Sequence, residues 1–139
     1  MKASDFSALV DTAFKSSPFI SFMRLELIST DAATGVVTMK MPLRAEFERG
    51  GGAGQFHGGA IAAFIDTVGD FSVALMTNGT VPTINFRVDF LRPSVGSHLT
   101  ATATMRRLGR TVAVVDVDVF DEQNRLTAVG RGCYSAQVG

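Results

Sequence analysis

Residues 59–76 form a long, largely apolar segment that contains the acids Asp66 and Asp70. The segment is longer than an ordinary strand and rich in alanine, so it is expected to be a helix. A helix apolar nearly all round cannot lie on a surface; something must wrap it. The last third of the chain offers the wrapping. Ile84, Phe86, Val88 and Phe90 alternate with Thr83, Asn85, Arg87 and Asp89. Leu99, Ala101, Ala103 and Met105 alternate with Thr100, Thr102, Thr104 and Arg106, and Val115, Val117 and Val119 with Asp116 and Asp118. Period two predicts strands with one apolar face, and turn residues at 93–96, 108–110 and 121–124 separate them. A final strand at about 125–136 sets Leu126, Ala128, Gly130 and Gly132 on one face, small enough for something bulky to approach. The arrangement that satisfies both parts is an α+β fold, an antiparallel sheet curled around one long central helix.

Upstream, Ser4 is expected to cap a helix in which Phe6, Leu9, Val10, Ala13 and Phe14 recur at helical spacing, with Ser16-Ser17-Pro18 stopping it. Strand-like runs follow near 24–29 and 35–41, before Pro42. Residues 49–54 read as a mobile glycine-rich loop leading into His57-Gly58-Gly59. No repeat or second domain is visible, so residues 1–139 are expected to form one domain. Thirteen basic and thirteen acidic residues cancel, leaving no global field for nucleic acid or an anionic membrane. The apolar stretch at 60–76 reads as too short and too charged to span a bilayer. With no signal-peptide pattern and Cys133 as the sole cysteine, a soluble protein of the reducing cytoplasm is expected. His57 and His98 lack ligand-like spacing, so neither a metal nor another cofactor is expected.

Asp66 carries the most chemical information. Its helical neighbours are Ala62, Ala63, Gly69 and Asp70, so no basic residue pairs with it and a like charge sits one turn away. Burying such a carboxylate costs several kcal/mol or drives its pKa upward. A raised pKa suits a general base, and carboxylates also act as nucleophiles. A wet helix edge or a backbone hydrogen bond would account for the aspartates equally well. His57-Gly58-Gly59 supplies glycines just before a helix, whose first N–H groups lack internal partners. Together with the helix dipole they form an oxyanion site suited to acyl transfer; the plainer reading is an entry turn that His57 caps. Asp66 lies eight residues beyond Gly58, roughly 12 Å along a helix. One acyl carbonyl must sit about 3 Å from both its attacking group and its oxyanion donor. A single helix cannot manage that, whereas two copies across a two-fold axis pair Gly58 of one with Asp66 of the other. If both groups serve one site, the chain is a homo-oligomer, a dimer or a dimer of dimers, with active sites between subunits.

Phe56-His57-Gly58-Gly59, followed by Asp66 nine residues after the histidine, resembles the PaaI-type, phenylacetic-acid-pathway branch of hotdog-fold acyl-CoA thioesterases. The resemblance runs over most of the chain, through residues 83–93 and the hairpin at 106–111. It implies a hotdog fold of five to six strands and hydrolysis of an acyl-CoA to free acid and CoA. It makes Asp66 the nucleophile or general base and Thr83 the group that orients the attacking water. The Gly58 N–H of a partner subunit would polarise the carbonyl, with His57 and Gly59 beside it. Asp70 falls where relatives position substrate or water, and Arg106, Arg107 and Arg110 near where they bind the nucleotide phosphates of CoA, a task suited to arginine's fork of donors. One departure concerns the asparagine that many relatives carry six residues before the histidine. Here that position is Gly51, with Gly54 kept and Gln55 or a water as candidate substitutes. Phe14, Phe19, Phe22, Phe64 and Phe71 could line an aryl or medium-chain pocket or simply fill the core. Two other readings fit these residues: a hotdog hydratase or dehydratase using His57 with a carboxylate, and a non-catalytic acyl-CoA-binding module.

Overall fold

The computed structural model describes residues 1–138. In chain order it comprises helices α1 (Ala3–Ser16) and α2 (Pro18–Met23), strands β1 (Glu26–Asp31) and β2 (Val36–Pro42), and a 3-10 turn at Ala45–Phe47. The central helix α3 (Gly58–Thr77) follows, then β3 (Thr83–Phe90), β4 (His98–Leu108), β5 (Val112–Asp121) and β6 (Leu126–Ser135). All six strands join one antiparallel sheet in the order β1-β2-β4-β5-β6-β3. The sheet curls around α3, which packs mainly over β4 and β5.

The alternation on β4 and β5 does what the sequence predicts. Leu99, Ala101, Ala103, Val115, Val117 and Val119 are buried and meet Phe64, Ile65, Val68 and Phe71 of α3 in one core. Small residues on β6 let the helix come close: a Cβ on Gly130 would lie 2.6 Å from Ile65 Cγ2, and one on Gly132 would lie 2.5 Å from the Tyr134 ring. The expectation that the segment is too short to cross a membrane fails on length. Gly58 and Thr77 extend the helix to 20 residues, long and apolar enough by composition alone, yet here its own sheet buries most of it.

Other expectations need correction. Ser4 does not cap α1; it lies inside the helix, while Lys2 holds the cap position and its carbonyl takes the N–H groups of Asp5 and Phe6. α1 ends at Ser16 as expected, but Pro18 does more than stop it. It opens α2 at the first turn, where a missing N–H costs nothing, and Ser17 caps that helix by accepting from the Ile20 N–H. Phe6 and Phe14 of α1 stand edge-on to Phe71 at 6.4 and 6.0 Å, which seats the N-terminal helix against α3.

Strand β3 departs most from the simple pattern. It is an edge strand bonded only to β6, and Ile84, Phe86 and Phe90 are 55%, 38% and 55% exposed. Its register skips Ile84, because Thr83 pairs with Tyr134 while Asn85 pairs with Cys133. That bulge breaks the alternation and takes Thr83 off the outer face it would share with Asn85, Arg87 and Asp89. Thr83 turns inward, toward α3.

Candidate active site

The segment entering α3 is tied by hydrogen bonds on both sides of its glycines. Arg49 N–H donates to Gln55 O at 2.8 Å, Phe56 N–H to Ser94 O at 2.9 Å, and His57 N–H to Phe47 O at 2.7 Å. The Glu48 carboxylate accepts the Gly54 N–H at 3.0 Å, across a turn in which Gly52 and Gly54 adopt φ of 75° and 68°. Gly51 stands exposed with no heavy atom within 4 Å of an added Cβ, and the Gln55 side chain makes no hydrogen bond among the described residues. Glu48, not Gln55, ties the loop.

At the helix start, His57 takes the cap position, and its Nδ1 accepts the Gly59 N–H at 2.8 Å. Ala60 and Ile61 N–H groups both reach His57 O, at 3.1 and 3.3 Å. One donor is left over: among the described residues, the Gly58 N–H has no acceptor. The capping reading of His57 is therefore the one the geometry favours, with the exposed imidazole serving to order the turn. A cavity of about 360 Å³ opens at Gly58, bounded by Phe56, Ile61, Phe90 and the arginines Arg49 and Arg92.

Further along α3, half-buried Asp66 receives a hydrogen bond from Thr83 Oγ1 to Oδ1 at 2.7 Å. Its backbone carbonyl accepts from the hydroxyl of fully buried Tyr134 at 3.1 Å. One turn on, Asp70 Oδ1 accepts the Val81 N–H at 3.3 Å. Burial pushes the Asp70 carboxyl up, the Val81 hydrogen bond draws it back, and the Asp66 charge adds to the rise, for a pKa of about 7. Both carboxyls line one cavity of about 380 Å³, walled by Ala13, Ile20, Phe71 and Val81 with Ser17 at the junction of α1 and α2.

The two cavities share no lining residue. Strand β3 runs between them, with Thr83 bonded to Asp66 at one end and the Phe90 ring at the other, 3.2 Å from where a Gly58 Cβ would stand. The hairpin arginines lie apart from both cavities. Arg106 approaches Asp116 at 3.4 Å, while Arg107 and Arg110 are exposed without an acidic partner among the described residues. Of the candidate pocket phenylalanines, only Phe71 lines the carboxyl cavity. Phe64 is core, Phe19 is exposed, and Phe22 stacks edge-on to Phe47 beneath Arg44. Two contributors escaped the sequence reading, Glu48 and Tyr134. Tyr134 was reachable, since it continues the inner-face alternation of Gly130 and Gly132.

The family model described as Thioesterase superfamily matches residues 53–128, a span holding the α3 entry, both acids and Thr83. Acyl-coenzyme A thioesterase PaaI of Escherichia coli is 32% identical over 110 residues, covering 78% of this chain and 74% of that protein. A candidate esterase of Halobacterium salinarum is 32% identical over 143 residues, covering 95% and 93%. The solved E. coli PaaI protein of the phenylacetic acid degradation operon superposes with a TM-score of 0.84 over 99% of this chain and 96% of its own, at 22% identity, a likeness of fold. Thioesterase HI1161 of Haemophilus influenzae superposes with a TM-score of 0.76 at 27% identity, covering 86% and 82%. With its six-stranded sheet around one helix and these matches across it, this chain belongs to the thioesterase superfamily as a PaaI-type hotdog thioesterase, a thioester hydrolase.

Proposed function

We propose that this chain hydrolyses an acyl-CoA thioester to a free carboxylic acid and CoA, with Asp66 as base or nucleophile, in sites shared between two copies. The observation that carries the reading is the Asp66 carboxylate, held by Thr83 at 2.7 Å on the wall of a cavity, on a helix whose first N–H is unused. In the base route, Asp66 takes a proton from water and the resulting hydroxide attacks the thioester carbon. In the nucleophile route, Asp66 attacks first and water then cleaves the mixed anhydride. Either way negative charge develops on the carbonyl oxygen, where a Gly58 N–H at a helix N-terminus stabilises it. Collapse expels CoA thiolate, which takes its proton from Asp66 in the base route and from the water that cleaves the anhydride in the nucleophile route. Thr83 fixes the rotamer of Asp66 and leaves Oδ2 for the reaction. Asp70, protonated for part of the time near neutrality, borders the same cavity without adding a second full negative charge beside Asp66.

The second copy is supported by β3. Its outer edge is unpaired and carries Ile84, Phe86 and Phe90, an apolar edge that needs cover. A two-fold axis through the middle of the strand would set Thr83 of one chain opposite Phe90 of the other, and so Asp66 opposite Gly58. CoA is the substrate's carrier in the named E. coli relative. In this role Arg106, Arg107 and Arg110 remain candidates for its phosphates, Arg107 and Arg110 the freer of the three. The test is release of free thiol from a panel of acyl-CoA esters by the purified protein. Turnover is expected with at least one ester, and Asp66→Asn should lower kcat by a factor of about 10³ or more. Turnover that survives this substitution would overturn the reading.

A further inference from the structure

We infer that Tyr134 is a positioning residue for Asp66, fixing the turn of α3 that carries the carboxylate without itself touching substrate; the inference rests on Asp66 being the catalytic acid. Tyr134 lies on the inner face of β6, fully buried, and its hydroxyl donates to the Asp66 carbonyl at 3.1 Å. In a continuous helix that carbonyl also receives the N–H four residues on. The phenol therefore adds a second donor to a satisfied acceptor, and the helix does not need it in order to form.

The seat of the ring is specific on both sides. A Cβ at Gly69 of α3 would fall 2.1 Å from the Tyr134 hydroxyl oxygen, and one at Gly132 would fall 2.5 Å from the ring. Two missing side chains, one on each element, let the phenol slide between helix and sheet to reach the carbonyl. Tyr134 is also the cross-strand partner of Thr83, the residue that the β3 bulge turns inward. Paired positions on β6 and β3 thus hold one residue twice, Tyr134 by its backbone and Thr83 by its carboxylate. Holding the carboxylate alone would let it travel with the helix, and holding the backbone alone would leave its torsions free. Together they set the position of Oδ2 against an acyl carbon presented from the cavity. Displacement of a reacting group by about 1 Å can cost on the order of 10²-fold in rate.

A buried phenol needs some acceptor, so the same bond could serve packing alone. Tyr134→Phe separates the two roles, because it keeps the ring and removes only the hydroxyl. The expected result is a kcat lower by about tenfold or more, an unchanged KM, and a thermal midpoint within a few degrees of the parent. Combined with Thr83→Val, the loss should be smaller than the product of the two single losses, since both hold one group. Replacing Tyr134 with para-fluorophenylalanine, which fills the place of the hydroxyl without a donor, should lower kcat in the same way and carries the test if Tyr134→Phe does not fold. Wild-type kcat in Tyr134→Phe alongside an inactive Asp66→Asn overturns this inference and leaves the Asp66 reading standing. An active Asp66→Asn removes both.

Discussion

The two acids of α3 look alike in the sequence, yet the structure gives them different surroundings. Asp66 faces Thr83, while Asp70 lies under the junction of α1 and α2 with one backbone N–H for company. Their presence on one apolar helix was legible because charge stands out against grease. Their different partners were not, since those depend on where β3 begins and how residues 80–82 fold back on the helix. The raised Asp70 pKa carries a stability consequence with a definite sign. The folded chain binds this proton more tightly than the unfolded one, at about 7 against 3.8. The contribution is therefore full below the unfolded value and is lost as pH rises through the folded one. Urea unfolding between about pH 4 and about pH 8 should show stability falling in the wild type by up to a few kcal/mol. Asp70→Asn should flatten that part of the slope. Identical slopes in the two proteins would show that Asp70 titrates normally.

Among the elements, those facing α3 squarely were the most legible. β5 and the first half of β4 keep strict alternation where the helix covers them, so Leu99 to Ala103 and Val115 to Val119 read correctly as core. The short helix α2 was hidden, because six residues carry no measurable periodicity and its proline reads as a stop. The bulge at Ile84 was hidden too, since an extra residue leaves the alternating pattern intact on paper while reversing the face of Thr83. His57 illustrates a motif residue whose local role needed coordinates. With Nδ1 on the Gly59 N–H it acts as a cap. His57→Ala should cost about 1 kcal/mol in chemical denaturation, and His57→Ser, which can accept the same N–H, should recover most of it. In both variants kcat should stay within a few-fold of the parent, whereas a loss comparable to that of Asp66→Asn would give the imidazole a chemical role.

At the level of the whole molecule, the unpaired edge of β3 and the separation of the two cavities ask for the same remedy. An edge that exposes Ile84, Phe86 and Phe90 is a poor surface for a lone chain, and the donor at Gly58 and the acid at Asp66 cannot meet within one. A mixed-dimer experiment tests both points together. Gly58→Pro removes the unused N–H at the first helical position, where proline is well tolerated. An added Cβ there meets only the Phe90 ring, 3.2 Å away at its tip, and His57 already holds the extended backbone (φ -65°, ψ 141°) that a residue before proline adopts. Each homodimer, Gly58→Pro or Asp66→Asn, should be nearly inactive. A mixed dimer in the composite arrangement keeps one intact site, built from Asp66 of the proline chain and Gly58 of the asparagine chain, and puts both defects in the other. Random pairing of equal amounts makes half of the dimers mixed, so activity should recover to about a quarter of wild type. If each chain held a complete site, every site in the mixture would carry one defect and nothing would return. Mixed dimers seen by native mass spectrometry but devoid of thioesterase activity would therefore overturn the shared site, whatever Asp66→Asn does alone.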